Sequence, residues 1–177
     1  MKFFSDIRLL LLGLWLGAAV FFIAVAQSAF AVLPQRELAG AVVSRTLAII
    51  YYSGIVISAI LLATSFVKHA GVNRWLLWTE RVLMALIAVG CAAAQLVIGF
   101  WLSTIRAELG RPIDEVAADD PLRLRFDTLH EYSVWILAGC MIAALIAFFI
   151  IANRRFTGAP AKADPLAPYD FSKEFKI

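Results

Sequence analysis

Four long apolar runs separated by short polar breaks set the pattern of this chain, at about 9–32, 46–67, 82–105 and 132–152. Each is long enough, as a helix rising about 1.5 Å per residue, to cross a hydrocarbon core of about 30 Å. The breaks are legible. Pro34 stops the first run, and Gln35-Arg36-Glu37 marks water. Lys68, His69, Gly71, Asn73 and Arg74 form the second break. The third break is the longest, from Ile105 to Asp120, and carries Asp114, Glu115, Asp119 and Asp120.

After it, Asp120 reads as an N-cap and Pro121 as a first helical residue, where a missing N–H costs nothing. One helix can then run from Pro121 to about Asn153, longer than a single span, so residues 121–131 are expected to stand outside the membrane as an amphipathic outer turn. The pattern predicts an all-α fold, a four-helix transmembrane bundle with an extended, partly extramembrane fourth helix. It divides the chain into a four-span membrane domain, 1–156, and a proline-containing tail, 157–177.

Composition agrees, with 62% hydrophobic and 16% charged residues and a mean hydropathy of +0.84. Soluble domains carry about a quarter charged residues. Lys2 and Arg8 before an apolar run, with Ala29-Phe30-Ala31 after it, also fit a cleaved signal. A signal's apolar core spans only about 7–15 residues, however, so the longer run is read as the first span.

Ten Lys and Arg fall in the head, the second break and the tail, against six in the first and third breaks. Positive charge favours the cytoplasmic side. Both termini are therefore expected in the cytoplasm of a multi-pass protein of the cell (inner or plasma) membrane, and the net charge of +3 needs no nucleic acid to explain it.

Small residues mark packing faces. Gly13 and Gly17 make a GxxxG step, with Gly54 and Ser58 on the second span, Gly90 on the third and Gly139 on the fourth. Such spacing lets helix backbones approach closely, and intramolecular packing is preferred here over a homodimer seam. Gln95 is the one amide deep in the third span. Lipid offers it no partner, so an interhelical hydrogen bond is expected, with a substrate contact as the alternative. Cys91 and Cys140 read as small packing residues, and His69 carries no assigned role.

The densest ionisable stretch is DPLRLRFDTLHEYS, Asp120 to Ser133. Arg123, Asp127 and His130 recur at four and three residues and share a face, with Glu131 beside them. An ion-pair ladder is the preferred reading. A proton-handling or ligand cluster is the sharper one, because histidine is the side chain suited to exchanging a proton beside a carboxylate.

The sequence LWLG at Leu14 to Gly17 and FDTLHEYS at Phe126 to Ser133, with four spans and a long loop before the fourth, resembles the transmembrane-protein-205-like family over about residues 7–152. That family is a domain of unknown function found in bacteria and eukaryotes. The resemblance implies a four-helix integral membrane protein with a signature on Phe126, Leu129, His130 and Ser133, and no established reaction.

No C-x-x-C pair, P-loop, nucleophile elbow or H-E-x-x-H occurs, and PIDEVAADD lacks the turn glycine of a calcium loop. No enzyme is expected, and no metal or cofactor beyond a possible bound lipid or pigment. The expected partners are the bilayer and either a membrane protein or further copies of this chain. The preferred function is a non-catalytic accessory or structural subunit of a larger membrane complex. The alternatives are a small oligomeric transporter or channel using Gln95 or the Asp127–His130 cluster, and a pigment- or cofactor-binding subunit with His130 as axial ligand.

Overall fold

A computed structural model describes residues 2–66 and 74–153. Lys68, His69 and the tail 157–177 lie outside the described residues. The first helix is Lys2–Val32, the second Arg36–Thr64, the third Arg74–Leu109 and the fourth Pro121–Ala152. All four are long and apolar enough to span a membrane, and no strand occurs among the described residues.

The proline signals hold. The first helix stops before Pro34. Gly110 closes the third in the left-handed region at φ 58°, its N–H donating to the Arg106 carbonyl. Asp120 caps the fourth, its carboxylate accepting from the Leu122 N–H at 2.8 Å.

Charged residues do not end helices here. The second helix begins at Arg36 rather than near 46. The third begins at Arg74 rather than near 82 and runs on to Leu109 rather than 105. Arg45, Glu80 and Arg106 are good helix formers and fix no boundary. A π-helical segment, Ala93–Ile98, interrupts the third helix at mid-length and was not expected from the sequence.

The helices run alternately up and down, each packing on its sequence neighbours, with the fourth closing against the first. The buried stripes repeat in alternating steps of three and four. They are Arg8, Leu12, Trp15, Ala19 and Phe22 on the first helix, and Tyr51, Gly54, Ser58 and Leu61 on the second. The third contributes Glu80, Met84, Ile87, Cys91 and Ala94, and the fourth Ser133, Leu137, Cys140, Ala144, Ala147 and Ile151. This mean spacing of about 3.5 keeps a seam facing its neighbours in left-handed helix packing.

The outer surface is apolar on every helix, with Phe21 69%, Val56 56%, Val89 67% and Ile142 59% exposed. Apolar area of this extent is covered by lipid or by another protein. The protein is an integral, multi-pass membrane protein.

Two of the expected packing glycines sit at close approaches. A Cβ on Gly54 would fall 2.8 Å from the Cys91 sulfur and 2.9 Å from Trp15 Nε1. Its bare surface lets the Trp15 indole N–H reach the Ile50 carbonyl at 3.0 Å. A Cβ on Gly90 would fall 2.7 Å from the Cys140 sulfur. Ser58 is buried and returns its hydroxyl to the Gly54 carbonyl of its own helix at 2.6 Å.

Gly13, Gly17 and Gly139 require correction. A Cβ at Gly17 or Gly139 would meet nothing within 4 Å, and one at Gly13 only the edge of Phe148 at 3.4 Å. The GxxxG step lines an open apolar groove between the first and fourth helices instead of a close intramolecular backbone contact.

Gly54→Ala and Gly90→Ala should each destabilise the bundle by about 1–3 kcal/mol through overpacking. Gly139→Ala should stay within about 0.5 kcal/mol of wild type or stabilise. Unfolding of the three variants in mixed micelles checks the contrast. Equal stability of all three would place the helices farther apart than described.

Candidate functional site

Among the described residues, two polar assemblies interrupt the apolar interior, one at each end of the bundle. The first is built on Arg8 and Glu80, both on the buried stripes of their helices. Arg8 is 3% exposed and Glu80 0%. Arg8 Nη2 touches Glu80 Oε1 and donates to the Leu61 carbonyl at 2.6 Å.

Leu61 is in the last turn of the second helix, where the helix dipole presents its negative end, and its carbonyl also accepts from the Ser65 N–H at 3.1 Å. The Arg8 guanidinium thus meets a carboxylate from the third helix and a carbonyl from the second. Arg81 reinforces the same terminus. It donates from Nη2 to the Ser65 carbonyl at 2.8 Å and from Nε to Ser65 Oγ at 3.1 Å, with its guanidinium 4.4 Å from the Phe66 ring centroid. Two arginines from two different helices cap one helix end.

The second assembly is a lateral recess of about 570 Å³ between the second, third and fourth helices. Arg45, Tyr51, Gln95, Ser103, Arg106 and Ser133 contribute its polar lining. The Tyr51 hydroxyl crosses to the Ser133 carbonyl at 3.0 Å, which fixes the recess floor. Gln95 lies in the π-helical segment and is half-buried. Its amide makes no hydrogen bond among the described residues, so the expected interhelical bond is not formed. Arg106 lies 5.1 Å from the Phe126 ring centroid, and Arg125 lies 4.4 Å from that of Trp101. These stacking contacts clip the third helix to the fourth.

The stretch from Asp120 to Ser133 is placed differently from the sequence expectation. Phe126 and Ser133 are buried against the bundle and Leu122 and Leu129 partly so, as an amphipathic turn requires. Arg123, Asp127, His130 and Glu131 do not form a cluster.

Arg123 turns back to donate to the Val116 carbonyl and pins the preceding loop. Glu131 accepts from the Trp135 indole N–H at 3.4 Å. His130 is exposed and lies parallel to the Phe126 ring at 6.4 Å. Asp127 is exposed, with no hydrogen bond or ion pair among the described residues. Helical spacing put these groups on one face, but side chains pointing outward find other partners or water. His130 lines neither the recess nor the groove. No group of three or more metal-ligating side chains meets among the described residues.

Sequence reasoning missed the Arg8–Glu80 pair, whose signal was present. Both residues continue the buried three-and-four stripes of their helices.

Removing one partner of a buried pair strands the other charge, at about 3–5 kcal/mol, whereas an apolar replacement of both is often neutral. Arg8→Met should therefore destabilise by about that amount. Arg8→Met/Glu80→Leu should recover most of the loss. A double-mutant cycle in micelles measures this coupling, and additive losses would mean that the two side chains do not meet.

A model for a "Domain of unknown function (DUF4149)" matches residues 10–111. The match takes in Arg45, Glu80, Gln95 and Arg106, and ends before the Phe126–Ser133 stretch. Of the two stretches that resemble the transmembrane-protein-205-like family, only Leu14–Gly17 falls inside it. No curated protein and no solved structure matches. The matched residues make up more than half of the chain, and the protein belongs to the DUF4149 family.

Proposed function

We propose that this protein is a non-catalytic accessory subunit that presents its first helix to a transmembrane helix of a partner membrane protein. One observation carries the proposal, a mismatch of charge-free length at the end of the bundle remote from Arg8. The Trp15–Ile50 and Tyr51–Ser133 hydrogen bonds set a common depth for the first, second and fourth helices.

Beyond that depth, the second helix carries Arg45, Glu37 and Arg36. The fourth carries Glu131, His130, Asp127, Arg125 and Arg123. The first helix instead continues without charge from Trp15 to Val32, about 25 Å of helix. Phe21 at 69%, Phe30 at 51% and Val32 at 77% are exposed along it.

A bilayer thick enough to cover this surface would bury the charged faces beside it, at a cost of about 2–4 kcal/mol for each central charge. A partner helix covers one side without burying the other. The groove of about 680 Å³ lined by Gly13, Gly17, Ala18 and Phe148 adjoins the same surface, and its small residues permit close approach.

The Lys and Arg bias supports a plasma or inner membrane location with both termini cytoplasmic, so the overhanging end of the first helix faces outward. The likeness to the transmembrane-protein-205-like family is part of this proposal and adds no reaction to it.

Gentle-detergent purification from native membranes, followed by mass spectrometry and an absorption spectrum of the same peak, tests the reading. A stoichiometric membrane protein should co-purify with wild type and be lost with Gly17→Trp. Gly17 has open space, so that variant should keep the thermal stability of the isolated bundle. A lone, colourless species would overturn the proposal. A visible absorption band without a partner would replace it with a pigment-binding role.

A further inference from the structure

We propose that the recess between the second, third and fourth helices binds the phosphate of an anionic membrane phospholipid. The guanidinium groups of Arg45 and Arg106 line one recess and form no ion pair with a carboxylate among the described residues. Glu37 is near enough to act on the charge of Arg106 without forming an ion pair.

Arginine forks match phosphate oxygens geometrically and are less strongly hydrated than lysine, which suits a site at the bilayer edge. The level is appropriate. Arg106 stands about 8 Å of helix beyond Trp101, and tryptophans mark the membrane interface.

Gln95 supplies a second, independent observation. Its amide lines the deeper part of the recess without an internal hydrogen bond, where lipid tails would leave it unsatisfied. Its position in the π-helical segment fits a local departure from α geometry at a binding site. The Ser103 hydroxyl lies between it and Arg106 along the helix. The recess is therefore cationic at its outer end and amide-lined farther in. That order matches a phospholipid, whose phosphate stands above its ester carbonyls. Leu96 and Phe100, 59% and 66% exposed, flank it on the outer surface and can receive the acyl chains. A volume of about 570 Å³ lies within the usual range of about 300–1,000 Å³ for small-molecule sites.

Native mass spectrometry of the full chain, titrated in neutral detergent with phosphatidylglycerol, phosphatidylcholine or soluble glycerol phosphate, tests the proposal. Phosphatidylglycerol should be retained at least about tenfold more tightly than phosphatidylcholine, a difference of about 1.4 kcal/mol. Arg45→Gln should remove most of that preference, and Gln95→Leu should weaken retention of phosphatidylglycerol. Arg36→Gln, which removes the same charge from the same end but outside the recess, should leave it within about twofold.

Arg45 makes no hydrogen bond or ion pair among the described residues, so Arg45→Gln should keep wild-type thermal stability. Glycerol phosphate bound as tightly as the lipid, with the same loss in Arg45→Gln, would retain the phosphate site but assign it to an aqueous ligand. Equal retention of the two lipids, or equal loss in Arg36→Gln and Arg45→Gln, would overturn the site.

Discussion

A guanidinium inside an apolar bundle is tolerated only when its charge is met, and Arg8 is met from two directions. The desolvation of such a group costs several kcal/mol even after relaxation. The surrounding helices are therefore fixed relative to it. Glu80 on the third helix and the final carbonyls of the second must converge on one point. The first and third helices face each other across the bundle diagonal, where backbone packing is sparse. A long side chain spans that gap. The other diagonal is crossed by Tyr51, whose hydroxyl reaches Ser133. Arg8 and Tyr51 thus provide cross-bracing that neighbour packing alone does not.

The rest of the interior is held by close packing of small against large side chains. The core sets small residues, among them Ala19, Gly54, Ser58, Cys91, Ala94, Ala144 and Ala147, against large ones, among them Leu12, Trp15, Leu61, Met84, Ile87, Leu137 and Ile151. Lipid supplies little hydrophobic drive for helix association, so close approach and directed hydrogen bonds carry it. Trp15 illustrates both effects. Its ring fills the space beside Gly54, and its N–H is satisfied by the Ile50 carbonyl.

Much of this was legible in the sequence, for local reasons. Pro34 and the Asp120–Pro121 cap act through the backbone, so they fixed helix ends; Gly110 does the same for the third helix and was not singled out. Charged residues act through solvation and did not, which is why the second and third helices are longer than their apolar runs. Gly54, Ser58 and Gly90 were legible as packing positions from their small size. Arg8 and Glu80 were obscured only because a charge near a helix end is usually given to headgroups. Other features depend on information that sequence spacing lacks. GxxxG spacing shows that a face is thin without showing which way it points, so Gly17 was misplaced. AAQLVI carries no mark of a π turn, so the exposure of the Gln95 amide to a recess could not be foreseen. Arg123, Asp127 and His130 share a helical face, but only the neighbouring loop determines that Arg123 turns back to Val116.

The first helix stays uncharged about as far as the other three carry charge, and a partner is the proposed answer to that asymmetry. Nitroxide labels at Phe21→Cys and Phe30→Cys would test it most directly, because the native Cys91 and Cys140 are buried. Accessibility to oxygen and to a water-soluble nickel complex would be compared in native membranes and in pure lipid. A helix covered by protein predicts low access to both reagents in native membranes and a rise in oxygen access once the protein is alone in lipid. The same high oxygen access in both settings would mean that lipid already covers the helix, and would contradict the account.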